Sequence, residues 1–362
     1  MPRRSSAPKI SDFTCMRLEL LAWYQSSKRD LPWRQTSDPY AIWISEVMLQ
    51  QTRVAVVIER YTAFLQRFPT IESLARADEQ DVLAFWSGLG YYRRARMLHK
   101  AAQTIVADQS GMMPTTAAEL RHLPGIGSYT AAAIASIAHN EPISVVDGNV
   151  ERVLSRIQGW HSHDIASEAA VRRKVEDLAQ KLIDLRHPGD YNQAMMELGA
   201  TVCTPRNPQC LVCPWARHCH TLGEHRTPRR APATSRDSAC ALTTRESAGA
   251  IEVLLEQRHA TNTVMPGLWE LPAIEPAETP ATAPVLTVRH SIMQVNYTVR
   301  VHAIAASELP KSATTRHWVA AEVAPTMALT GLARKVLTRA RLLPPLISQP
   351  ATFAVSPTAE VV

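Results

Sequence analysis

Four cysteines fall within 17 residues: Cys203, Cys210, Cys213 and Cys219, spaced C-x6-C-x2-C-x5-C. Four thiolates can close one tetrahedral zinc site or hold one iron–sulfur cluster. Structural zinc usually presents two paired CxxC knuckles, and here only Cys210–Cys213 is such a pair. Spacing alone leaves both metals open, with four unrelated buried cysteines as the third reading. Cys15 and Cys240 lie outside the cluster and read as plain core or surface residues.

Two carboxylates stand in settings that could do acid–base work. From Pro39 to Thr52 (PYAIWISEVMLQQT) Glu46 is the only charged residue. Tyr40, Trp43, Ile44, Val47 and Met48 form one apolar stripe, and Ile42 and Leu49 make the opposite side apolar too. A helix apolar nearly all round is buried. Burial raises a carboxyl pKa toward what a general acid needs near neutral pH. A structural salt bridge to an arginine is the competing account. Of Gln50 and Gln51, one falls on the stripe, where a polar side chain needs a partner. Asp147 stands in VVDGNV, directly before the helical run NVERVLSRI. Aspartate there is most often an N-cap, a role compatible with chemistry. Two carboxylates with opposite protonation needs are the pattern for breaking a glycosidic bond: one protonates the leaving group, the other stabilises a cationic sugar.

Leu123-Pro124-Gly125-Ile126-Gly127-Ser128 separates two helical segments, AAELRH and YTAAAIASIA. Two glycines allow a tight interhelical turn. They also leave backbone N–H groups bare at the next helix's N-terminus, which suits an anion. The pattern fits a helix-hairpin-helix that grips the DNA backbone without reading sequence; the competing account is an ordinary turn between helices.

These residues need elements to hold them. The first 220 residues read as helix after helix, with starts such as Asp38-Pro39 and a capping box at Thr116-x-x-Glu119. Residues 221–238 turn polar, basic and proline-containing, and read as a linker. Beyond it Ala250–Arg258 and Asn296–Ala305 read as strands, Met327–Ala340 as a helix, and 346–362 as a disordered tail. The expected fold is therefore mainly α, with a helical domain over 13–220 and a small α+β domain over 239–345. The net charge of +6 is compatible with a nucleic-acid partner. No apolar run approaches the ~18 residues of a membrane span, and with no apolar run behind the basic N-terminal residues a secretory signal is not expected. The expectation is a cytoplasmic, nucleoid-associated protein.

In order along the chain, LPWR (Leu31–Arg34), SEVMLQQT (Ser45–Thr52), GLGYYRRAR (Gly88–Arg96), LPGIGSYTA (Leu123–Ala131), VVDGNVERVLSR (Val145–Arg156) and NQAMMELGATVC (Asn192–Cys203) resemble the endonuclease III superfamily of DNA glycosylases, and within it the MutY family. The matches span essentially all of 13–220. The resemblance implies a two-lobed helical glycosylase domain and a [4Fe-4S] cluster on Cys203, Cys210, Cys213 and Cys219. It implies Glu46 as catalytic acid on a flipped adenine, Asp147 as stabiliser of an oxocarbenium-like state, and Asn149 as a positioning partner. Arg29, Leu31, Trp33, Gln51, Thr52, Tyr129 and Gln193 would line the base pocket or contact the lesion pair. Gln51 and Tyr91 would probe the base stack, and Leu123, Gly125, Gly127 and Ser128 would meet the DNA backbone. Arg93, Arg94 and Arg96 are expected to contact phosphates, with a solvated helix face as the competing account.

The implied activity is removal of adenine opposite 8-oxoguanine or guanine in double-stranded DNA, by a monomer. Bifunctional relatives carry a Schiff-base lysine after the hairpin. Here that position is Tyr129, which implies a monofunctional enzyme. MPGLWELP (Met265–Pro272) resembles the Nudix-like domain of the family, without the glutamate-rich helix of true Nudix hydrolases. Where many members carry Phe-Ser-His, this chain has Ile292-Met293-Gln294. Gln294, His290 and Ser291 are the candidates to compensate. Two further readings are a bifunctional glycosylase and lyase for oxidised pyrimidines, and a non-catalytic redox-sensing DNA-binding protein.

Overall fold

The computed structural model describes residues 10–160, 168–225, 232–275, 278–310 and 314–344. The expected tail and the middle of the expected linker, 226–231, lie outside them. Among the described residues the helices are α1 (Ile10–Ser27), α2 (Pro39–Leu49), α3 (Val54–Arg67), α4 (Ile71–Arg76), α5 (Glu79–Phe85), α6 (Arg93–Asp108), α7 (Ala117–Leu120), α8 (Ser128–His139), α9 (Gly148–Gln158), α10 (Glu168–Leu182), α11 (Pro188–Thr201) and α12 (Gly331–Arg339). The strands are β1 (Thr234–Leu242), β2 (Thr244–Ser247), β3 (Ala250–Gln257), β4 (Trp269–Glu270), β5 (Ala273–Ile274), β6 (Leu286–Ile292), β7 (Val295–Ala303) and β8 (Arg316–Ala320). No described helix is long and apolar enough to cross a membrane. The chain divides into two compact units, Met1–Gln50 with Thr104–Pro228, and Gln51–Gln103 with Arg229–Val362.

In the first unit, α2 starts as its sequence dictates. Asp38 caps the Tyr40 amide at 3.0 Å and Pro39 opens the first turn. Tyr40 through Met48 are all buried. The helix stops at Leu49 rather than Thr52, because Gln50 turns extended and Gln51 takes a left-handed φ of 57°. Gln50 meets the partner requirement by donating to Thr130 Oγ1 at 3.2 Å. Elsewhere α1, α9, α10 and α11 enclose a core that includes Leu20, Tyr24, Leu154, Leu198 and Trp215. Two glycines let α11 approach its neighbours closely. A Cβ on Gly189 would sit 2.8 Å from the Ile137 and Ser136 backbone, and one on Gly199 would sit 2.6 Å from Asn149 Cβ.

The second unit joins α3–α5 and the first part of α6 to a domain with two sheets. One sheet has the order β5-β1-β7-β6, with β1 parallel to β7; the other is β2-β3-β4, with β8 also on β3. Val253, Leu255, Val288, Val299 and Val301 from the sheets pack with Ala333, Val336 and Leu337 of α12. Three expectations need correction. β1 begins at Thr234, inside the expected linker; its first residues are polar and exposed, and pairing with β7 makes them strand. The strands expected at 250–258 and 296–305 run over Ala250–Gln257 and Val295–Ala303. The last helix begins at Gly331, not Met327, because Thr330 caps it and Leu329 bridges to Trp269.

Candidate active site

Helix α2 carries Glu46, α8 carries Tyr129, and the N-terminus of α9 carries Asp147 and Asn149. All four lie in the first unit. Glu46 is 5% exposed. Its carboxyl hydrogen-bonds the Tyr129 phenol, while its Oε2 has no partner among the described residues. Burial pushes the carboxyl up to about 7; the Tyr129 bond opposes this, the Asp147 charge adds to it and the Arg34 charge opposes it. Burial and the two carboxylates also raise the Tyr129 phenol well above its usual value. Its hydroxyl lies 3.2 Å from Met196 Sδ.

Asp147 is the N-cap of α9. Its Oδ1 accepts from the Asn149 and Val150 amides at 2.8 Å each, and its Oδ2 accepts from Asn149 Nδ2 at 2.7 Å. Three donors suit a carboxylate, which only accepts. The capping role and the placement beside Glu46 coexist. Asn149 Oδ1 accepts in turn from Arg152 Nη2 at 2.8 Å, and Arg152 Nε reaches the Cys203 carbonyl at 2.9 Å.

The ion-paired carboxylate of this region is a different residue. Glu197, 1% exposed, accepts from Arg29 Nε and Nη2 at 2.7 Å each and from Arg34 Nη2 at 2.8 Å. Burial alone would raise its pKa, but the two guanidiniums outweigh that and bring it down to about 2. Sequence reasoning passed over Arg34 and Glu197, although both lie inside motifs it quoted. The signal was an acidic residue at the centre of NQAMMELGATVC, on the buried side of α11. Arg29 was expected to line the base pocket or contact the lesion pair; here its guanidinium is fixed by Glu197. Leu31 and Trp33 are buried and Gln193 is half-buried.

Gln51, Thr52 and Tyr91 belong to the second unit. There Thr52 Oγ1 lies 3.3 Å from the Leu89 carbonyl, and Tyr91 is 52% exposed. The hairpin joins α7 to α8 as expected. Only Gly125, with φ 75°, needs glycine's conformational freedom; Gly127 has an ordinary φ and open space around its Cα. Gly127 is the N-cap of α8 and offers no side-chain cap, so the first amides of α8 lack one. Arg93 is exposed. Arg94 and Arg96, expected to contact phosphates, have partners within the chain. Arg94 Nη2 bonds the Leu89 and Gly90 carbonyls at 2.9 and 3.1 Å, and Arg96 bonds Glu79 at 2.9 Å and the Pro266 carbonyl at 2.6 Å.

Residues 44–181 match the family described as the HhH-GPD superfamily of base excision DNA repair proteins, and 203–219 match the iron–sulfur binding domain of endonuclease III. Both matches fall in the helical part of the chain. Among curated proteins, the chain is similar to adenine DNA glycosylases. One from Rattus norvegicus is 47% identical over 66% of this chain and 48% of that protein; one from Homo sapiens is 40% identical over 74% and 59%. The chain thus spans about half the length of the curated relatives it matches. A thermostable thymine-DNA glycosylase structure superposes with a TM-score of 0.54 at 27% identity, covering 59% of this chain and 97% of that one. A non-covalent endonuclease III–DNA complex gives 0.51 at 24% identity over 60% and 97%, which speaks to the fold.

The four-cysteine loop matches an iron–sulfur binding domain, and its residues fit a [4Fe-4S] cluster. Cys203, Cys210, Cys213 and Cys219 line one pocket with Val153, Arg156 and Leu198. Burial and the neighbouring sulfurs push the Cys213 thiol up to about 11, a cost that bound iron would relieve. Arg156, itself buried, donates to Cys203 Sγ at 3.4 Å and to the Thr204 carbonyl at 2.7 Å. Trp215 fastens the loop to α1 through the Met16 carbonyl at 2.9 Å. Cys15 is no plain surface residue. With Glu19 and His218 it forms a trio of potential ligands, but Arg217 already occupies it, donating to Cys15 Sγ at 3.0 Å and pairing with Glu19.

Proposed function

We propose that this chain is a monofunctional adenine DNA glycosylase acting on adenine opposite 8-oxoguanine or guanine in double-stranded DNA. The observation that carries the reading is Glu46: a buried carboxyl raised to about 7, with a free oxygen, beside a carboxylate held by three N–H donors. An adenine inside a duplex is out of reach, so it must be extruded into a pocket. Neutral adenine is a poor leaving group. Glu46 protonates a ring nitrogen as the bond to the sugar stretches, Asp147 stabilises the cationic sugar, and water completes the hydrolysis. Asn149 orients Asp147. Arg29 and Arg34, held by Glu197, set a fixed polar wall for the base. The hairpin amides from Gly125 to Ser128 take a DNA phosphate. Tyr129, a phenol kept protonated, forms no imine, so no strand cleavage accompanies base loss.

Cys203, Cys210, Cys213 and Cys219 would hold the cluster, which would cross-link their loop and supply a one-electron centre; the residues above carry the hydrolysis. The C-terminal sheet domain is a Nudix-like recognition module. Its β6–β7 hairpin has Met293 and Gln294 at a two-residue turn, with Met293 78% exposed. His290 packs near Gly331 and Ser291 bonds Asn296 at 2.6 Å, so Gln294 is the polar side chain left at the tip.

The test is a single-turnover assay on duplexes carrying adenine opposite 8-oxoguanine, guanine or thymine, and an oxidised pyrimidine opposite guanine, each read with and without alkali. Adenine release from the first two, with breaks only after alkali, is expected. Glu46→Gln should lower that release by about a thousandfold, within the roughly hundred- to ten-thousandfold that a positioned general acid typically contributes, while DNA binding persists. Breaks without alkali, or action on the pyrimidine alone, would move the protein to the bifunctional branch.

A further inference from the structure

The segment Gly88–Tyr91 turns through left-handed backbone: Gly88 has φ 93°, Gly90 70° and Tyr91 48°. Glycine adopts this freely, and tyrosine does not. A strained side chain half in solvent persists only when its surroundings fix it. Part of that fixing is local. Trp86 Nε1 donates to the Gly90 carbonyl at 3.1 Å, and Arg94 bonds the Leu89 and Gly90 carbonyls. Arg94 also flanks the Tyr91 ring, 5.7 Å from its centroid.

The rest comes from the C-terminal domain. Ser87 and Tyr92 flank the turn and are 1% and 5% exposed. Arg334 of α12, 4% exposed, donates from Nε to Ser87 Oγ at 2.8 Å. Tyr92 Oη donates to the Leu329 carbonyl at 3.1 Å, and Ser87 hydrogen-bonds the Tyr92 phenol. Arg334 Nη2 holds the Pro325 carbonyl at 3.1 Å. Leu329 immediately precedes Thr330, the cap of α12. The polar circuit therefore runs from the start of α12 through Tyr92 and Ser87 and back to α12 through Arg334. Nε and Nη2 of Arg334 are both paired in this circuit, while its Nη1 has no partner among the described residues; buried hydrogen bonds of this kind restrict the geometry of the groups they join.

We propose that Ser87, Tyr92 and Arg334 form a clamp by which the C-terminal domain fixes how Tyr91 is presented to DNA. They are positioning residues and touch no substrate. The proposal rests on the reading of Tyr91 as a DNA-probing side chain.

The test uses the full chain with its cluster. Tyr92→Phe removes only the hydroxyl. Three readouts are compared with the parent: amide hydrogen exchange over 88–92, affinity for a duplex with adenine opposite 8-oxoguanine in a Glu46→Gln background, and the single-turnover rate at saturating enzyme. Exchange is expected to quicken, and affinity to fall roughly three- to tenfold, as the loss of one buried hydrogen bond implies. The saturating rate should stay within about twofold, since no hydrogen bond to Glu46 or Asp147 is touched. In a Tyr91→Ala background, Tyr92→Phe should no longer change affinity. Unchanged exchange, or the same affinity loss in both backgrounds, overturns the clamp. If Tyr91→Ala alone leaves affinity intact, the DNA-probing reading fails, and hydrogen exchange still decides the clamp. Ser87→Ala gives the same readouts should Tyr92→Phe not fold.

Discussion

A lone carboxyl in an apolar helix has consequences for stability as well as for chemistry. The folded Glu46 titrates near 7, against 4.5 for an ordinary glutamate. The native state therefore holds the Glu46 proton more tightly than the unfolded chain does. This contribution to stability is fully present below about pH 4.5 and is lost as pH rises through 7. Glu46→Gln keeps the neutral form at every pH. Its stability relative to the parent should rise between pH 4.5 and 7 by an amount on the order of 3 kcal/mol, then level off. Urea melts of both chains at several pH values measure this; a flat difference would mean Glu46 is solvated like any surface glutamate. Base release should fall as pH rises through about 7, because only the protonated acid donates. Glu46 was legible because nothing else in its helix is charged. Glu197 was not, because its partners Arg29 and Arg34 lie more than 160 residues away in sequence and meet it only in the fold.

At the scale of elements, Asp147 joins two functions that substitution can separate. As N-cap it accepts from two amides of α9, and asparagine caps nearly as well. Asp147→Asn should therefore cost at most about 1 kcal/mol of stability, yet remove the charge that a cationic sugar needs. Near-parental melting with base release lost is expected; equal loss of both would reduce Asp147 to a cap. The seam between α9 and α11 positions the same residues. A methyl on Gly199 would meet Asn149 at Cβ and backbone, where nothing flexible can yield. Gly199→Ala should cost about 1–3 kcal/mol by overpacking and displace Asn149 from Asp147, slowing catalysis more than binding. Activity and affinity falling together by one factor would argue against that displacement. The starts of α2, α7 and α9 were legible because caps are chemical: aspartate, proline and threonine announce them. Ends and edges were less so. The end of α2 depends on one left-handed residue, Gln51, and the start of β1 on pairing with β7, which polar Thr234–Ser238 does not advertise.

For the whole molecule, the excess of +6 is a poor guide to which cations face DNA. The arginine run after Gly88 illustrates why. In sequence Arg93, Arg94 and Arg96 look equivalent, but the fold commits Arg94 to the carbonyls of the Leu89–Gly90 turn and Arg96 to Glu79 and Pro266, leaving Arg93 exposed. Each phosphate neutralised by a side chain releases counterions, so the logarithm of affinity falls with the logarithm of salt by about 0.9 per contact. Arg93→Ala should therefore make the salt slope of duplex binding shallower by about one, with melting unchanged. Arg96→Ala should do the reverse. It leaves the slope where it was and lowers the melting temperature, because it removes a bond between α6 and the loop before β4. Salt titrations and melts of the two variants side by side decide the matter. Equal changes in slope would mean that Arg96 leaves its internal partners to meet DNA, and that the contacts of the free chain do not govern its bound surface.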